Sequence, residues 1–469
     1  MSVLDQLEAL VLGNFLHQKD VAACFAELGT PSTSIAILDN GSLSSKCYST
    51  VGSDVDTVFQ ACSISKPING LAVMKLVDEG RLSLSNTVAE LLPKEYLDIL
   101  TEGSPANQRS IVEKITVKQL MSHTAGLTVH GFLGYPKGSL VPKLREILAG
   151  ANPSNSPRIR MNALPGYGHS YSGGGITVLQ LIVETVVGKD YPTLMQELVL
   201  GPLEMTRSFI APVPADEKNV ANAHFTAYTK CCRCGLWTTP TDLLKAVQAV
   251  QKSLAGDGGF LRKETAELMT TEVDDGMGLS WGVLGKSKQG FTHTGQNLGF
   301  ACVVAGFAKL GSTEVPENSG IAIMTDSDMG SEVFMKVARA VAGIQAWPWP
   351  TNSESWDRLP RQFSRPASES GDDWKEWKGK WVEGAHSYVV GESKDGEPMV
   401  TFDESAEVRL LPASNSRRRE NGSFSDFLLE AMDMMMCFEE KDGEKIIKLH
   451  RLSAESRELK REGSGTESK

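Results

Sequence analysis

The apolar residues of this chain change their spacing twice, and that change restricts the fold more than any single motif. STSIAIL (32–38) and DTVFQA (56–61) read as strands, and the turn signal DNG at 39–41 bends the first back into a hairpin. Over residues 66–79 the period becomes helical: Ile68, Leu71, Ala72, Met74, Leu76 and Val77 form one stripe, and Gly80 is placed to end it. Helical patterns with loops then run to about residue 260, VKQLMSHTAGL (117–127) and ITVLQLIVETVVG (176–188) among them. From 278 strands return in GLSWGVLG, GFTHTGQ, GFACVVAGFA and SGIAIMTDS, and SEVFMKVARAVAGI (331–344) closes with a helix. Strands, helices, strands and a last helix predict a sheet with a helical insertion over residues 1–346.

Residues 347–373 open with WPWP and continue rich in Ser, Pro, Arg and Asp, which is linker composition. From Trp374 to about residue 454 the period is that of strands: SYVVGE, PMVTFD, EVRLLPA, SDFLLEAM, MMMCFEE and KIIKLHRL, with a hairpin turn at KDGEK. This predicts a small C-terminal antiparallel β domain, a barrel or a sandwich. The tail 455–469, ESRELKREGSGTESK, is read as disordered.

The length of 469 residues is enough for two to four domains, and 41% apolar with 22% charged residues is ordinary globular usage. A formal net charge of −11 makes a poor binder of nucleic acid or anionic membrane. The eight cysteines, Cys24, Cys47, Cys62, Cys231, Cys232, Cys234, Cys302 and Cys437, are scattered as in a reduced cytosolic enzyme rather than a disulfide framework. Asp5 and Glu8 stand where a signal peptide would carry Lys or Arg, and Val3, Leu7, Leu10, Val11 and Phe15 read as an amphipathic helix. No uninterrupted apolar stretch is long enough for a membrane span. The expected location is the cytoplasm; the sequence does not fix the oligomeric state.

Three short motifs carry chemistry. In Ser63-Ile64-Ser65-Lys66, at the start of a helix, positions i and i+3 share a face, so the Ser63 hydroxyl and the Lys66 amine can meet. A serine hydroxyl becomes a nucleophile when a nearby base takes its proton, and backbone N–H groups at the helix start can hold an oxyanion; a capping serine explains the same spacing. Tyr171-Ser172-Gly173, within GYGHSYSGGG, reads equally as a loop anchor. His293-Thr294-Gly295, in GFTHTGQNLGF, places a histidine on a strand whose glycine lets a substrate approach, and a hydrogen-bonded structural histidine fits as well.

Together and in this order, the three motifs resemble the serine β-lactamase-like family, which includes class C β-lactamases, penicillin-binding D-alanyl-D-alanine carboxypeptidases, D-aminopeptidases and related esterases and acyltransferases. Its elements are S-x-x-K, then Y-x-N, then K-T-G or H-x-G. The flanks agree: TVFQACSISKPINGLAVMKLVDEGRLSLSNTVAELLP is similar to the nucleophile segment, ITVKQLMSHTAGL to the LL-x-HTSGL segment, and PGYGHSYSGGGITVLQLIVETVVGKDY with GPLEMTRS to the tyrosine segment and its sequel. CGLWTTPTDLLKAV, MGLSWGVL and THTGQNLGF follow in the family's order, so the resemblance covers roughly residues 5–345.

The resemblance implies a β-lactamase/transpeptidase-like fold, an antiparallel sheet flanked by helices with a helical subdomain. It implies that Ser63 is the nucleophile of an acyl-enzyme, with Lys66 and Tyr171 sharing the general-base role. The oxyanion hole would be the backbone N–H groups of Ser63 and Gln296, with His293, Thr294, Gly295 and Gly173 lining the substrate site. Neither metal nor organic cofactor is implied. Two departures matter. Gly173 replaces the family's Asn, which commonly contacts a substrate amide, and His293 replaces the lysine that helps bind a substrate carboxylate. Both point away from a true β-lactamase toward cleavage of an ester or amide bond in a small molecule or short peptide. The alternatives are an acyltransferase or cyclase using the same acyl-enzyme, or a non-catalytic binding or scaffold member. Lesser signals receive structural readings: Cys231-Cys232-Arg233-Cys234 with His224 as packing rather than zinc, His123 as a loop organiser, Cys62 as a buried small residue, and Met432, Met434, Met435 and Met436 as core filling of the β domain.

Overall fold

The computed structural model describes residues 1–15, 17–103, 106–132, 135, 140–210, 212–224, 235–256, 258–284, 290–308, 318–347, 372–383, 386–402, 407–412, 426–429, 434–441, 443–451 and 454–461. The chain divides into two compact units, Phe25–Phe334 and Met1–Cys24 with Met335–Lys469. The N-terminal helix Val3–Asn14 falls in the same unit as the C-terminal part of the chain. Among the described residues no helix is long and apolar enough to cross a membrane.

The first unit is built on a six-stranded antiparallel sheet. In chain order its strands are β1 (Ser32–Asp39) and β2 (Ser42–Ser49), then, after a smaller sheet, β6 (Gly282–Leu284), β7 (Gly290–Asn297), β8 (Phe300–Phe307) and β9 (Ser319–Thr325). The spatial order is β2-β1-β9-β8-β7-β6. β1 and β2 form the hairpin expected at DNG, with Asn40 and Gly41 both at positive φ as a tight hairpin turn requires. β8 and β9 are buried at every position and β1 at all but its last, as expected of strands covered on both faces. The edge strand β2, SLSSKCYS, is polar and alternates in exposure, which blunts it as an edge.

The smaller sheet consists of β3 (Phe59–Gln60), β4 (Phe209–Ile210) and β5 (Leu236–Thr238), in the spatial order β3-β5-β4. Only two residues of the expected strand 56–61 pair in it. Four helices frame the sheets near the motif residues: α1 (Ser65–Asp78), α2 (Val117–Met121), α3 (Gly173–Val187) and α4 (Pro240–Ala255). α2 stops at Met121, well short of the expected 127, because His123 takes a positive φ that no helix accommodates. α3 ends at Gly188 in the left-handed conformation.

α4 starts from the Thr239 cap with Pro240 in its first turn, and its stripe Leu243, Leu244, Ala246, Val247 and Val250 packs on β1, β8 and β9. The approach is close: a Cβ at Gly306 would lie 2.5 Å from Val247 Cγ1. Buried Gln251 fixes the far end, its Nε2 donating to the carbonyls of Phe307 and Ser319 at 2.7 and 2.8 Å.

In the second unit, eight antiparallel strands close into a barrel: β10 (Gly379–Glu383), β11 (His386–Glu392), β12 (Pro398–Phe402), β13 (Glu407–Pro412), β14 (Asp426–Leu429), β15 (Met434–Lys441), β16 (Glu444–Arg451) and β17 (Ala454–Arg461). Its core holds Trp374, Trp377, Trp381, Phe427, Met436 and Phe438. Trp377 stacks on both Trp381 and Phe438, and the Trp381 indole donates to the Trp377 carbonyl at 2.9 Å.

The last strand corrects the sequence reading of a disordered tail from 455: residues 454–461 pair with β16 and, through Trp381–Arg461 and Val382–Lys460, with β10. The segment looks disordered because its described outer positions are charged and one apolar residue, Leu459, is buried inside; pairing that closes the barrel supplies what composition does not. Met432, the linker 348–371 and residues 462–469 lie outside the described residues.

Candidate active site

Ser63 stands where β3 turns into α1. A single 3₁₀ turn, Cys62–Ile64, intervenes, and Cys62 takes φ 50°, a strained value for a residue with a side chain. Three contacts hold the turn. The Ser65 hydroxyl donates to the Cys62 carbonyl at 2.7 Å and accepts from Leu236 N–H at 3.0 Å, while Ala61 N–H donates to Leu236 O at 2.8 Å. The helical i, i+3 relation then brings Lys66 Nζ to 3.0 Å from Ser63 Oγ, both residues half-buried. The same Nζ lies 4.9 Å from the centroid of the Tyr171 ring, over its face. The residues that the first two motifs supply are therefore brought together.

The third motif lies on β7. Beyond Thr292 the strand no longer pairs with β6, so Thr294 and Gln296 are exposed at an open edge, whereas His293 and Gly295 face inward. Gly295 abuts the turn that carries Ser63: a Cβ there would lie 2.6 Å from Ala61 O, 2.7 Å from Cys302 Sγ and 2.9 Å from Cys62 Cβ. Glycine at this position is what lets the Gln296 backbone come beside the Ser63 turn. The buried Gln60 ties the two strands, its Oε1 accepting from Asn297 Nδ2 at 2.7 Å.

Four of the chain's eight histidines, His123, His130, His169 and His293, gather in this region. His293 donates from Nδ1 to the Thr294 carbonyl at 2.6 Å, which leaves Nε2 as the lone-pair nitrogen. Burial, and then the Lys66 charge, push its pKa down to about 4. His123 accepts the Ser172 N–H on Nδ1 at 3.1 Å, and its ring lies 4.4 Å from that of Tyr171, tilted by 33°. Burial, then Lys66, His293 and His169, lower its pKa to about 3. Both imidazoles are neutral near pH 7.

His169 sits edge-on to His123 at 5.9 Å, with Nδ1 3.5 Å from Asp275 Oδ2. His130 is exposed, its ring 4.9 Å from Tyr171. The sequence singled out His123 as a loop organiser, and it does hold the Ser172 backbone; its contact with the Tyr171 ring went unread. The parts played by Gln60, Ser65, Asn297, His130 and His169 also went unread; of the histidines, His169 stands close to Tyr171 in the sequence and was the visible one. The cysteines at 231, 232 and 234 lie outside the described residues; His224 instead meets the buried Asp326 carboxylate at 3.1 Å.

Gly173, where the resemblance expects Asn, opens α3. Its N–H donates to His130 O at 3.1 Å, that of Gly174 to Val129 O at 2.9 Å, and the Ser172 hydroxyl to Thr128 O at 3.0 Å. The segment 128–132 thus lies directly against the helix start.

Comparison with known proteins bears on the fold and the family. Penicillin-binding protein 4 of Amycolatopsis lactamdurans is 26% identical over 170 residues, 36% of this chain and 40% of that protein. Esterase EstB of Burkholderia gladioli is 31% identical over 159 residues, 32% of this chain and 38% of that protein. The chain thus spans well under half the length of these two relatives. In fold it is similar to the octameric penicillin-binding protein homologue from Pyrococcus abyssi, with a TM-score of 0.54 and 19% identity over 97% of this chain and all of that one. A class C β-lactamase gives a TM-score of 0.54 and 18% identity over 73% of this chain and 96% of that one. The sequence profile of the β-lactamase family matches residues 18–345, and the chain belongs to that family.

Proposed function

We propose that this protein is a serine hydrolase that cleaves an ester bond of a small molecule through an acyl-enzyme on Ser63. The observation that carries this reading is the 3.0 Å contact between Lys66 Nζ and Ser63 Oγ with Tyr171 beneath the same ammonium. An ammonium that donates to Oγ cannot also take its proton. In that state a second group must be the acceptor, and Tyr171 is the one beside the ammonium; with Lys66 neutral, the amine itself accepts.

In the first step Ser63 Oγ bonds to the substrate carbonyl carbon, its proton passes to the Lys66–Tyr171 pair, and the carbonyl π electrons move onto oxygen. The N–H groups of Ser63 and Gln296 receive that oxyanion. Collapse breaks the bond to the leaving group, which takes the proton from the pair. Water then attacks the acyl carbon, gives a proton to the pair, and the C–Oγ bond breaks as Ser63 is reprotonated.

The preference for esters over β-lactams rests on two residues. The neutral His293 offers a lone pair where the family's lysine offers a cation for a carboxylate, and Gly173 offers no amide. The relative named as an esterase supports the same choice. The test is hydrolysis of p-nitrophenyl acetate and butyrate, beside a chromogenic cephalosporin, by wild type and Ser63→Ala. Ester turnover that Ser63→Ala abolishes, with an acyl adduct on the Ser63 peptide in intact mass, is expected. Cephalosporin turnover exceeding that of the esters would overturn the ester assignment, and Ser63-independent turnover would overturn the mechanism.

A further inference from the structure

Gly173 is closely packed by its neighbours. A Cβ there would lie 3.1 Å from His130 O, 3.2 Å from Phe132 Cε2 and 3.5 Å from Val129 O; one at Gly174 would lie 2.3 Å from Thr128 O. An Asn side chain at 173 would leave the backbone against segment 128–132. That segment is held firmly. Its carbonyls at 128, 129 and 130 are engaged by Ser172, Gly174 and Gly173 respectively, and Val129 sits at φ 69°, where a β-branched residue is an outlier. The conformation delivers the His130 ring, exposed, to 4.9 Å from Tyr171. The ring makes no side-chain hydrogen bond among the described residues. A neutral imidazole offers both a donor and an acceptor, and so did the missing amide, with its NH2 and its carbonyl.

We propose that His130 is a specificity-determining residue that stands in for the absent Asn, hydrogen-bonding an uncharged polar group, such as an amide or hydroxyl, that the substrate carries beside the scissile ester. This rests on the ester-hydrolase reading above and names the substrate class within it. Residue 173 gives up its side chain so that the neighbouring loop can supply the contact. Strain at Val129 fits this role, since backbone strain is retained where surrounding structure over-determines a functional geometry.

The experiment compares two esters that differ in that group, p-nitrophenyl acetate and the p-nitrophenyl ester of N-acetylglycine, on wild type, His130→Ala and His130→Asn. The ratio of kcat/KM for the second ester to the first is expected to fall about tenfold in His130→Ala, the size of one lost hydrogen bond to a neutral group, mainly through KM, and to recover in part in His130→Asn. A ratio unchanged within twofold in a folded His130→Ala protein overturns the inference. Binding of N-acetylglycine ethyl ester to Ser63→Ala and to Ser63→Ala/His130→Ala, followed by ligand-observed NMR, reads the same contact without turnover. Binding that depends on His130, from a wild type that hydrolyses neither ester, rejects the hydrolase reading and keeps only the His130 contact with the uncharged polar group. Binding equal in the two proteins rejects this one, whatever the catalysis.

Discussion

Replacing Gly295 with alanine puts a methyl group into close packing beside the Ser63 turn. The new Cβ would meet Ala61 O at 2.6 Å, Cys302 Sγ at 2.7 Å and Cys62 Cβ at 2.9 Å. None of the three can swing aside. Ala61 O accepts from Ile64 N–H within the turn, Cys302 is fully buried, and Cys62 is fixed by its own strained backbone. The strand or the turn must therefore retreat, by about 0.8 Å for the Ala61 carbonyl to reach an ordinary contact of 3.4 Å. That retreat separates Gln296 from Ser63, the two backbone donors proposed for the oxyanion.

A misplacement near 1 Å costs on the order of 10²-fold in rate, so kcat/KM for p-nitrophenyl acetate is expected to fall roughly 30- to 100-fold. Overpacking should cost about 1–3 kcal/mol in urea unfolding. Gly306→Ala is the control. Its Cβ would meet Val247 Cγ1 at 2.5 Å and Phe291 Cζ at 2.7 Å, a comparable clash under α4 that leaves Ser63 and Gln296 in place. It should lose similar stability and little activity. A Gly295→Ala enzyme within threefold of wild type, or a Gly306→Ala enzyme equally impaired, would refute the reasoning.

Three further outcomes are expected. Gly173→Asn, which restores the residue that the family resemblance leads one to look for, should destabilise the protein by about 1–3 kcal/mol in urea, because the side chain meets His130 O and Phe132; it should not create cephalosporin turnover. His293 has a folded-state pKa depressed to about 4 against 6.5 unfolded, so the unfolded chain binds more protons between these values. Its contribution, up to about 3 kcal/mol, is complete above pH 6.5 and is lost as pH falls toward 4. Thermal unfolding of His293→Asn should accordingly show a flatter pH dependence between 6.5 and 5 than wild type. Deleting residues 454–469 removes β17 and opens the barrel, which should abolish the buried-tryptophan signal of Trp377 and Trp381 in near-ultraviolet circular dichroism; a retained signal would contradict the pairing of Trp381 with Arg461.

Periodicity and punctuation made the sheet strands, α1 and α3 legible, because Ile68–Val77 or the run to Gly188 is decided by neighbours in sequence. The same signals failed wherever a partner far along the chain decides. β17 exists because β10 and β16 offer it pairing, although its own residues are mostly charged. α2 breaks early because His123 is turned to meet Ser172, 49 residues away. The catalytic candidates Ser63 and Lys66 share a helix turn and so could be paired from spacing. That Tyr171 joins them came only from the family resemblance, and the supporting residues Gln60, Asn297 and His130 carry no local pattern at all.

The departure at His293 has an electrostatic sense. Lys66 is the charge that pushes both His123 and His293 down, after burial. A second ammonium in place of His293 would repel Lys66 and lower the proton affinity of the pair proposed to accept the Ser63 proton, as any like charge does to a neighbouring cation. A neutral imidazole avoids that coupling but gives up the cation a substrate carboxylate would seek. His293→Lys is therefore expected to shift the acid limb of kcat/KM for p-nitrophenyl acetate to lower pH and to improve relative use of an ester carrying a free carboxylate, such as mono-p-nitrophenyl succinate. If the limb does not move while the carboxylate ester gains, the imidazole serves recognition alone and its neutrality is not tied to Lys66.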